Sequence, residues 1–238
     1  MKRLIQKIIQ SSEKSIETFF TNTGKIYSFL NPVSYINVRK YCEQYKDMDG
    51  LFADGELLIF FISLFYGKKI PRYSFDMTSL AKYFFSFACK NQKSVYLIGA
   101  EKEFICKASD VIKKEYPELN IVEFRNGYFS SFEERQQSIE RIVEMQPDFV
   151  VVGMGSVVQD LYLMDLKKAG FKGIGFSCGG FFHQIAQNGS SEFYPSWIDK
   201  CELRYLYRMY KEPHTRKRYF KAAFCFPIEF VWDRMKGK

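Results

Sequence analysis

An α/β fold class with a mostly parallel sheet is predicted by two observations on the sequence. Short apolar runs rich in β-branched and aromatic residues alternate with longer stretches whose apolar residues recur at helical spacing. Several of the short runs end on glycine just where the next helical stretch begins. Parallel neighbours cannot be joined by a tight hairpin and need a crossover, usually a helix. Strand, helix, strand in repetition therefore implies a parallel sheet covered on both faces.

In chain order, strands are predicted at 25–30 (KIYSFL), 94–99 (SVYLIG), 120–124 (NIVEF), 148–153 (DFVVVG) and 172–177 (KGIGFS), with a weaker one at 48–53. Helices are predicted at 33–46, 56–66, 77–91, 102–115, 132–146 and 157–169, several of them ending near Pro or Gly. This alternation is Rossmann-like. Three strands run into glycine, at Ile98-Gly99, Val152-Gly153-Met154-Gly155 and Cys178-Gly179-Gly180. Ligands of open α/β sheets sit outside the carboxyl ends of the strands, where glycine lets the backbone approach a phosphate and the next helix offers free N–H groups. None of these is a G-x-G-x-x-G with the expected spacing, and glycine after a strand also serves as an ordinary turn.

From about residue 195 the strand rhythm is lost, which divides the chain into an α/β core at 1–194 and a helical tail at 195–238, broken at Pro213 and slowed at Pro227. Residues 200–238 hold eleven Lys/Arg against four Asp/Glu, so nearly all of the formal charge of +8 lies in the tail. Such asymmetry marks an anionic partner: nucleic acid, a phosphate-bearing ligand or the negative face of a membrane. Arginines interleaved with Tyr, Phe and Trp suit a helix at the headgroup level or stacking on RNA bases, and the composition alone leaves both open. The apolar stretch 219–232 is interrupted by Lys221, Pro227 and Glu229 and is too short to span a bilayer. The six cysteines form no C-x-x-C and read as reduced thiols, and no signal peptide is visible in the first twenty residues. A cytoplasmic protein is expected.

The stretch LFADGELLIFFISLF at 51–65 places Asp54 and Gly55 at the head of an apolar run that should be hidden from water. Taken alone, Asp-Gly there is an ordinary turn or helix cap.

Read together with Arg72 and Asp76, then YPELNIVEFRNGYF, PDFVVVGMG, Gln159-Asp160, GFSCGGFFHQIA and ELRYLYRMYKEP…RKRYF, this stretch resembles the WecG/TagA/CpsF family of bacterial glycosyltransferases. The resemblance runs from about residue 25 to 225, in the family's order and spacing. It implies an inverting enzyme that moves a sugar, often of N-acetylmannosamine type, from a UDP-sugar donor to a lipid-diphosphate-linked (polyprenyl-diphosphate) saccharide in cell-surface polysaccharide synthesis. It implies no essential metal, no cofactor and no nucleic-acid partner, and a location peripheral on the inner face of the plasma membrane. The resemblance makes Asp54 the general base, with Gly55 turning the backbone so that the carboxylate points into a cleft, where partial burial would raise its pKa. Asn31, Arg72 and Asp76 resemble the sugar and acceptor side of the family's pocket. Gly127, Tyr128, Gly153, Gly155 and Gln159 resemble the nucleotide-sugar side, and Asp160, Gly179 and Gly180 are further substrate-binding candidates within the matched stretches. Arg208, Arg216 and Arg218 resemble basic residues that close over the site and stabilise the departing UDP.

Several positions depart from the family pattern. Val157-Val158 replace its Pro-Lys, His183 replaces an Asp, Phe193 replaces an Arg, and Phe29 stands where a threonine is usual. The glycine usual between the equivalents of positions 72 and 76 is absent. These changes imply a different sugar or acceptor, or alternatively a non-catalytic nucleotide-sugar or polysaccharide-assembly binding protein on the same fold. Asp47-Met48-Asp49 has D-x-D spacing but lies before a strand, in a region the family does not use for metal.

Overall fold

Alternation with a period of two decides how the sheet sits in the computed structural model, which describes residues 1–236. Six strands, β1 (Lys25–Leu30), β2 (Gly50–Ala53), β3 (Ser94–Gly99), β4 (Asn120–Arg125), β5 (Phe149–Gly153) and β6 (Ile174–Ser177), form one sheet in the order β2-β1-β6-β5-β3-β4. All five pairings are parallel. Successive side chains point to opposite faces, so Tyr96, Ile98, Val150 and Val152 join one core while Val95, Leu97, Phe149 and Val151 join the other.

The first core is covered by α1 (Lys2–Ser12), α3 (Pro32–Val38), α4 (Glu56–Tyr66), α7 (Phe132–Met145), α8 (Val158–Lys168) and α12 (Arg216–Met235). The second lies under α2 (Thr18–Thr21), α5 (Leu80–Lys90), α6 (Lys102–Glu115) and α9 (Phe181–Asn188). The short helices α10 (Ser196–Lys200) and α11 (Arg204–Lys211) and a 3₁₀ turn at Pro213–Thr215 lead into α12.

All the expected strands form; the structure departs from the expected helices at 33–46 and at Pro227, and it adds α1, α2 and α9, which lie outside every predicted helix. The helix expected over 33–46 stops at Val38 and continues as two 3₁₀ turns, Arg39–Tyr41 and Gln44–Asp47. The amphipathic helix α1, which buries Leu4, Ile5 and Ile8 against the edge strand β2, was not anticipated. Pro227 does not slow α12: the helix runs through it for twenty residues. A proline there costs the hydrogen bond to the carbonyl four residues earlier. The helix is held by its neighbours on either side of that gap, with Phe226 and Phe230 buried in the first core against Tyr35 and Phe61.

A buried carboxylate fixes the far end of α12. Asp233 accepts hydrogen bonds from Tyr35 Oη at 3.0 Å and from Arg39 Nε and Nη2 at 2.8 and 2.9 Å, a bidentate geometry that ties α12 to α3. The six cysteines are all free. Among the described residues no helix is long and apolar enough to cross a membrane.

Candidate active site

Neighbouring strands of a parallel sheet release their chains at the same edge, and here that edge opens into a cavity of about 950 Å³. Its floor is the carboxyl ends of β2, β1 and β6, with the loop after β5 to one side and α11 and the start of α12 above. It gathers Asn31, Asp54, Gly55, Arg72, Asp76, Gly155, Gln159, Gly179, Gly180, Arg208 and Arg218.

Asp54 follows β2 directly, and its N–H donates to Leu30 O at 2.8 Å, which carries the β1–β2 ladder one residue further. Gly55 then turns at φ +111°, a conformation side-chain-bearing residues rarely adopt, and α4 begins at Glu56. The carboxylate is thereby swung out of the sheet into the cavity. Its Oδ1 accepts from Arg72 Nε at 3.1 Å, and Oδ2 has no partner among the described residues.

Arg72 is shared. Its Nη2 donates to Asp76 Oδ2 at 2.8 Å and its Nη1 to Thr78 Oγ1 at 3.1 Å. Asp76 also accepts from Ser74 Oγ at 2.7 Å, Thr78 Oγ1 at 2.7 Å and Thr78 N at 3.0 Å. The two carboxylates consequently titrate in opposite directions. Burial pushes Asp54 above the ordinary aspartate value, against the pull of Arg72, Arg208 and Arg204. Burial also opposes ionisation of Asp76, but Arg72 and the donors of Thr78 and Ser74 outweigh it and hold that carboxyl below the ordinary value. Carboxylates pushed apart in this way divide into one that stays charged and one able to exchange a proton. Asp76 and Arg72 hold the Asp54 carboxylate in place.

The opposite wall is made by glycines and arginines. Asn31 caps α3, its Oδ1 accepting from Ser34 N at 3.0 Å, which turns the residue at the end of β1 toward the cavity rim. Gln159 Oε1 accepts the Gly179 N–H at 3.1 Å and so fixes the Gly-Gly turn after β6. A Cβ at Gly180 would lie 2.7 Å from Arg208 Nη2, so the small residue there makes room for a guanidinium. Arg208 pairs with the buried Glu212 at 2.8 Å. Burial alone would lower its pKa, but Tyr219, Tyr194 and Glu212 more than reverse this, and it stays a cation.

Other predicted residues lie outside the cavity lining. Gly153 packs under Cys178 and Phe182, where a Cβ would sit 2.9 Å from either. Gly127 packs against Gly99, with 2.9 Å between a Cβ there and Gly99 Cα. Tyr128 is 65% exposed beyond β4, and exposed Arg216 donates to Met209 O at 2.8 Å. Asp160 is buried beneath the floor, accepting from Ser28 Oγ at 2.6 Å, from Tyr45 Oη, and from Val157 N at 3.3 Å. Val157 has φ +72°, an outlying conformation for a β-branched residue, and the Asp160 carboxylate is what receives its N–H. Asp160→Ala leaves two buried hydroxyls and an amide without their acceptor, and a loss of about 2–3 kcal/mol is expected in urea unfolding.

Sequence reasoning missed several lining residues. Tyr194, Glu202, Arg204 and His214 line the cavity, as do the departing residues Phe29 and His183. Arg204 reaches back to Glu56 at 3.1 Å, joining α11 to α4. The His183 ring packs tilted against Phe104 with centroids 4.2 Å apart and meets His214 edge-on at 6.3 Å. The signal for Arg204 was present in the Arg204/Arg208 spacing, which puts both on one helical face. Among the described residues no group of three or more His, Cys, Asp or Glu side chains is placed to hold a metal ion.

The chain is similar to known glycosyl transferases. The model of the glycosyl transferase WecG/TagA/CpsF family matches residues 4–238. A UDP-Gal:alpha-D-GlcNAc-diphosphoundecaprenol beta-1,4-galactosyltransferase of Shigella boydii is 33% identical over 210 residues, covering 88% of this chain and 87% of that protein. An N-acetylglucosaminyldiphosphoundecaprenol N-acetyl-beta-D-mannosaminyltransferase of Bacillus subtilis is 25% identical over 199 residues, covering 82% of this chain and 75% of that protein. With the match spanning sheet, cavity and tail alike, the chain belongs to the WecG/TagA/CpsF family of glycosyl transferases.

Proposed function

We propose that the protein transfers a hexosyl or N-acetylhexosaminyl group, with inversion, from a UDP-sugar to a saccharide carried on a lipid diphosphate, with Asp54 as general base. The observation that carries this reading is the pairing of Asp54 and Asp76 about Arg72, with one carboxylate oxygen left open to the cavity. In this reaction the acceptor hydroxyl oxygen attacks the anomeric carbon from the face opposite the nucleotide. Its proton passes to Asp54, the bond from the anomeric carbon to the diphosphate oxygen breaks, and UDP leaves with the bonding pair. Arg208 and Arg218 at the tail side of the cavity suit the charge that grows on the leaving group, a role cations can play without a metal.

The relatives' names both specify a GlcNAc-diphosphoundecaprenol acceptor, and the higher identity is to a galactosyltransferase, so UDP-galactose is the first donor to test and UDP-N-acetylmannosamine the second. Incubation with GlcNAc-diphosphoundecaprenol should release UDP and give a product with the anomeric configuration opposite to the donor's. A folded protein that binds UDP-sugars yet transfers none from a broad panel is a binding protein instead.

The reading includes an anionic membrane surface as partner. Phe220, Phe224, Ile228, Trp232 and Met235 recur along α12 at helical spacing and are all exposed, continued by Phe60 and Leu64 of α4. Arg216, Lys217 and Lys221 flank them. An apolar ridge beside basic residues suits the headgroup boundary, each cation adding about 1 kcal/mol at an anionic leaflet. Phe224→Asp should weaken flotation with phosphatidylglycerol vesicles and leave the melting temperature unchanged, because that side chain is 75% exposed.

A further inference from the structure

We propose that the trough between α4 and α12 seats the first isoprene units of the acceptor's polyprenyl chain. This rests on the reading above of a lipid-diphosphate-linked acceptor and adds where its hydrocarbon goes. The trough has a volume of about 560 Å³ and is walled by Phe61, Leu64 and Phe65 of α4 and by Ile228, Val231 and Trp232 of α12, every one apolar.

Its position selects the occupant. The same two helices line the cavity one or two turns earlier, through Leu57 and Phe60 of α4 and Phe220 and Ala223 of α12. A substrate whose sugar lies beside Asp54 and whose diphosphate lies at the cavity mouth must carry its chain out past these helices. Between Ala223 and Met235 α12 rises about 18 Å, twelve residues at 1.5 Å each, with Pro227, Ile228, Val231, Trp232 and Met235 on the trough side. The trough shares Leu64, Ile228 and Trp232 with the exposed ridge, and its other walls, Phe61, Phe65 and Val231, are half-buried between the two helices. A single chain whose diphosphate is held in that cavity follows the same two helices into the trough.

The experiment compares GlcNAc-diphosphoundecaprenol with GlcNAc diphosphate carrying a short alkyl chain, both in detergent micelles so that no bilayer contributes. Wild-type protein should show a KM about tenfold lower for the undecaprenyl acceptor, the size expected from burying a few methylenes. Val231→Trp fills the trough while keeping it apolar, and Leu64→Glu places a carboxylate in it from a position 61% exposed, where no packing is lost. Both variants should lose most of the preference and keep the wild-type kcat on the short-chain acceptor. A preference absent from the wild type, retained by both variants, or seen only when vesicles replace detergent overturns the assignment. Inactivity of the wild type on both acceptors overturns the transferase reading and the trough with it, whereas activity without chain preference overturns the trough alone.

Discussion

Asp54→Asn is expected to lower kcat by about three orders of magnitude, the middle of the range for loss of a positioned general base. The substitution keeps the size of the side chain and a hydrogen-bond acceptor for Arg72, so the Arg72–Asp76 pair has no reason to move. Donor affinity should therefore stay within about twofold, and a split between lost turnover and kept binding identifies a group used only in the transition state. The pH profile is a second readout. The base must be ionised, and burial raises its pKa, so kcat should fall with decreasing pH at values above those of an ordinary aspartate. Stability runs the other way. A carboxyl with a raised folded pKa binds its proton more tightly when folded, so its contribution to stability grows as pH falls through the folded pKa and is lost as pH rises. Asp54→Asn should therefore melt no lower than wild type at neutral pH, a trade of stability for function that a merely structural carboxylate would not show.

How much of this was legible in the sequence follows from what each residue's neighbours are. The strands were readable because β5 and β3 are central and nearly all their side chains are buried, which leaves unbroken apolar runs. Helix α1 was not read, although Leu4, Ile5 and Ile8 have the spacing, because its charged residues dilute the run and its role is to cover an edge strand from outside the repeating pattern. Asp54 stood out as a charge heading an apolar segment, but nothing local announces Arg72. It lies in a stretch without periodicity, and its meaning is a contact eighteen residues back that only the fold makes.

The glycines illustrate a different limit. Gly99, Gly153 and Gly180 share one sequence signature, a glycine where a strand ends, and have different reasons for it. Gly99 meets the Gly153 backbone, Gly153 meets Phe182 and Cys178, and Gly180 meets a guanidinium. Strand order could not be read either, and it decides the matter for Gly127 and Tyr128. They follow β4 at the edge of the sheet, three strands from β6, and do not line the cavity. Asp160 carried a site-like neighbour in Gln159, yet successive residues of a helix face different ways: Gln159 lines the cavity while Asp160 points beneath its floor to Ser28 and Tyr45.

Arg208→Ala is the second large effect expected, a loss of about two to three orders of magnitude in kcat, comparable to removing one preorganised donor from a developing anion. The guanidinium is held over Gly180 by Glu212, so its orientation is set before substrate arrives and no reorganisation is needed when the diphosphate departs. The alanine variant also strands the buried Glu212 carboxylate, which would destabilise the segment and confuse the result. Arg208→Ala with Glu212→Gln removes that charge and should restore the melting temperature without restoring kcat. Arg208→Lys keeps the charge but not the planar fork, and should recover only part of the lost rate because a point charge cannot serve Glu212 and a phosphate oxygen in the same geometry. Exposed Arg216, bonded to a backbone carbonyl outside the cavity lining, is the control, and its alanine variant should change kcat less than about threefold. If Arg208→Ala and Arg216→Ala instead cost the same modest amount, the tail acts on the reaction through its net charge, and the leaving group is stabilised elsewhere.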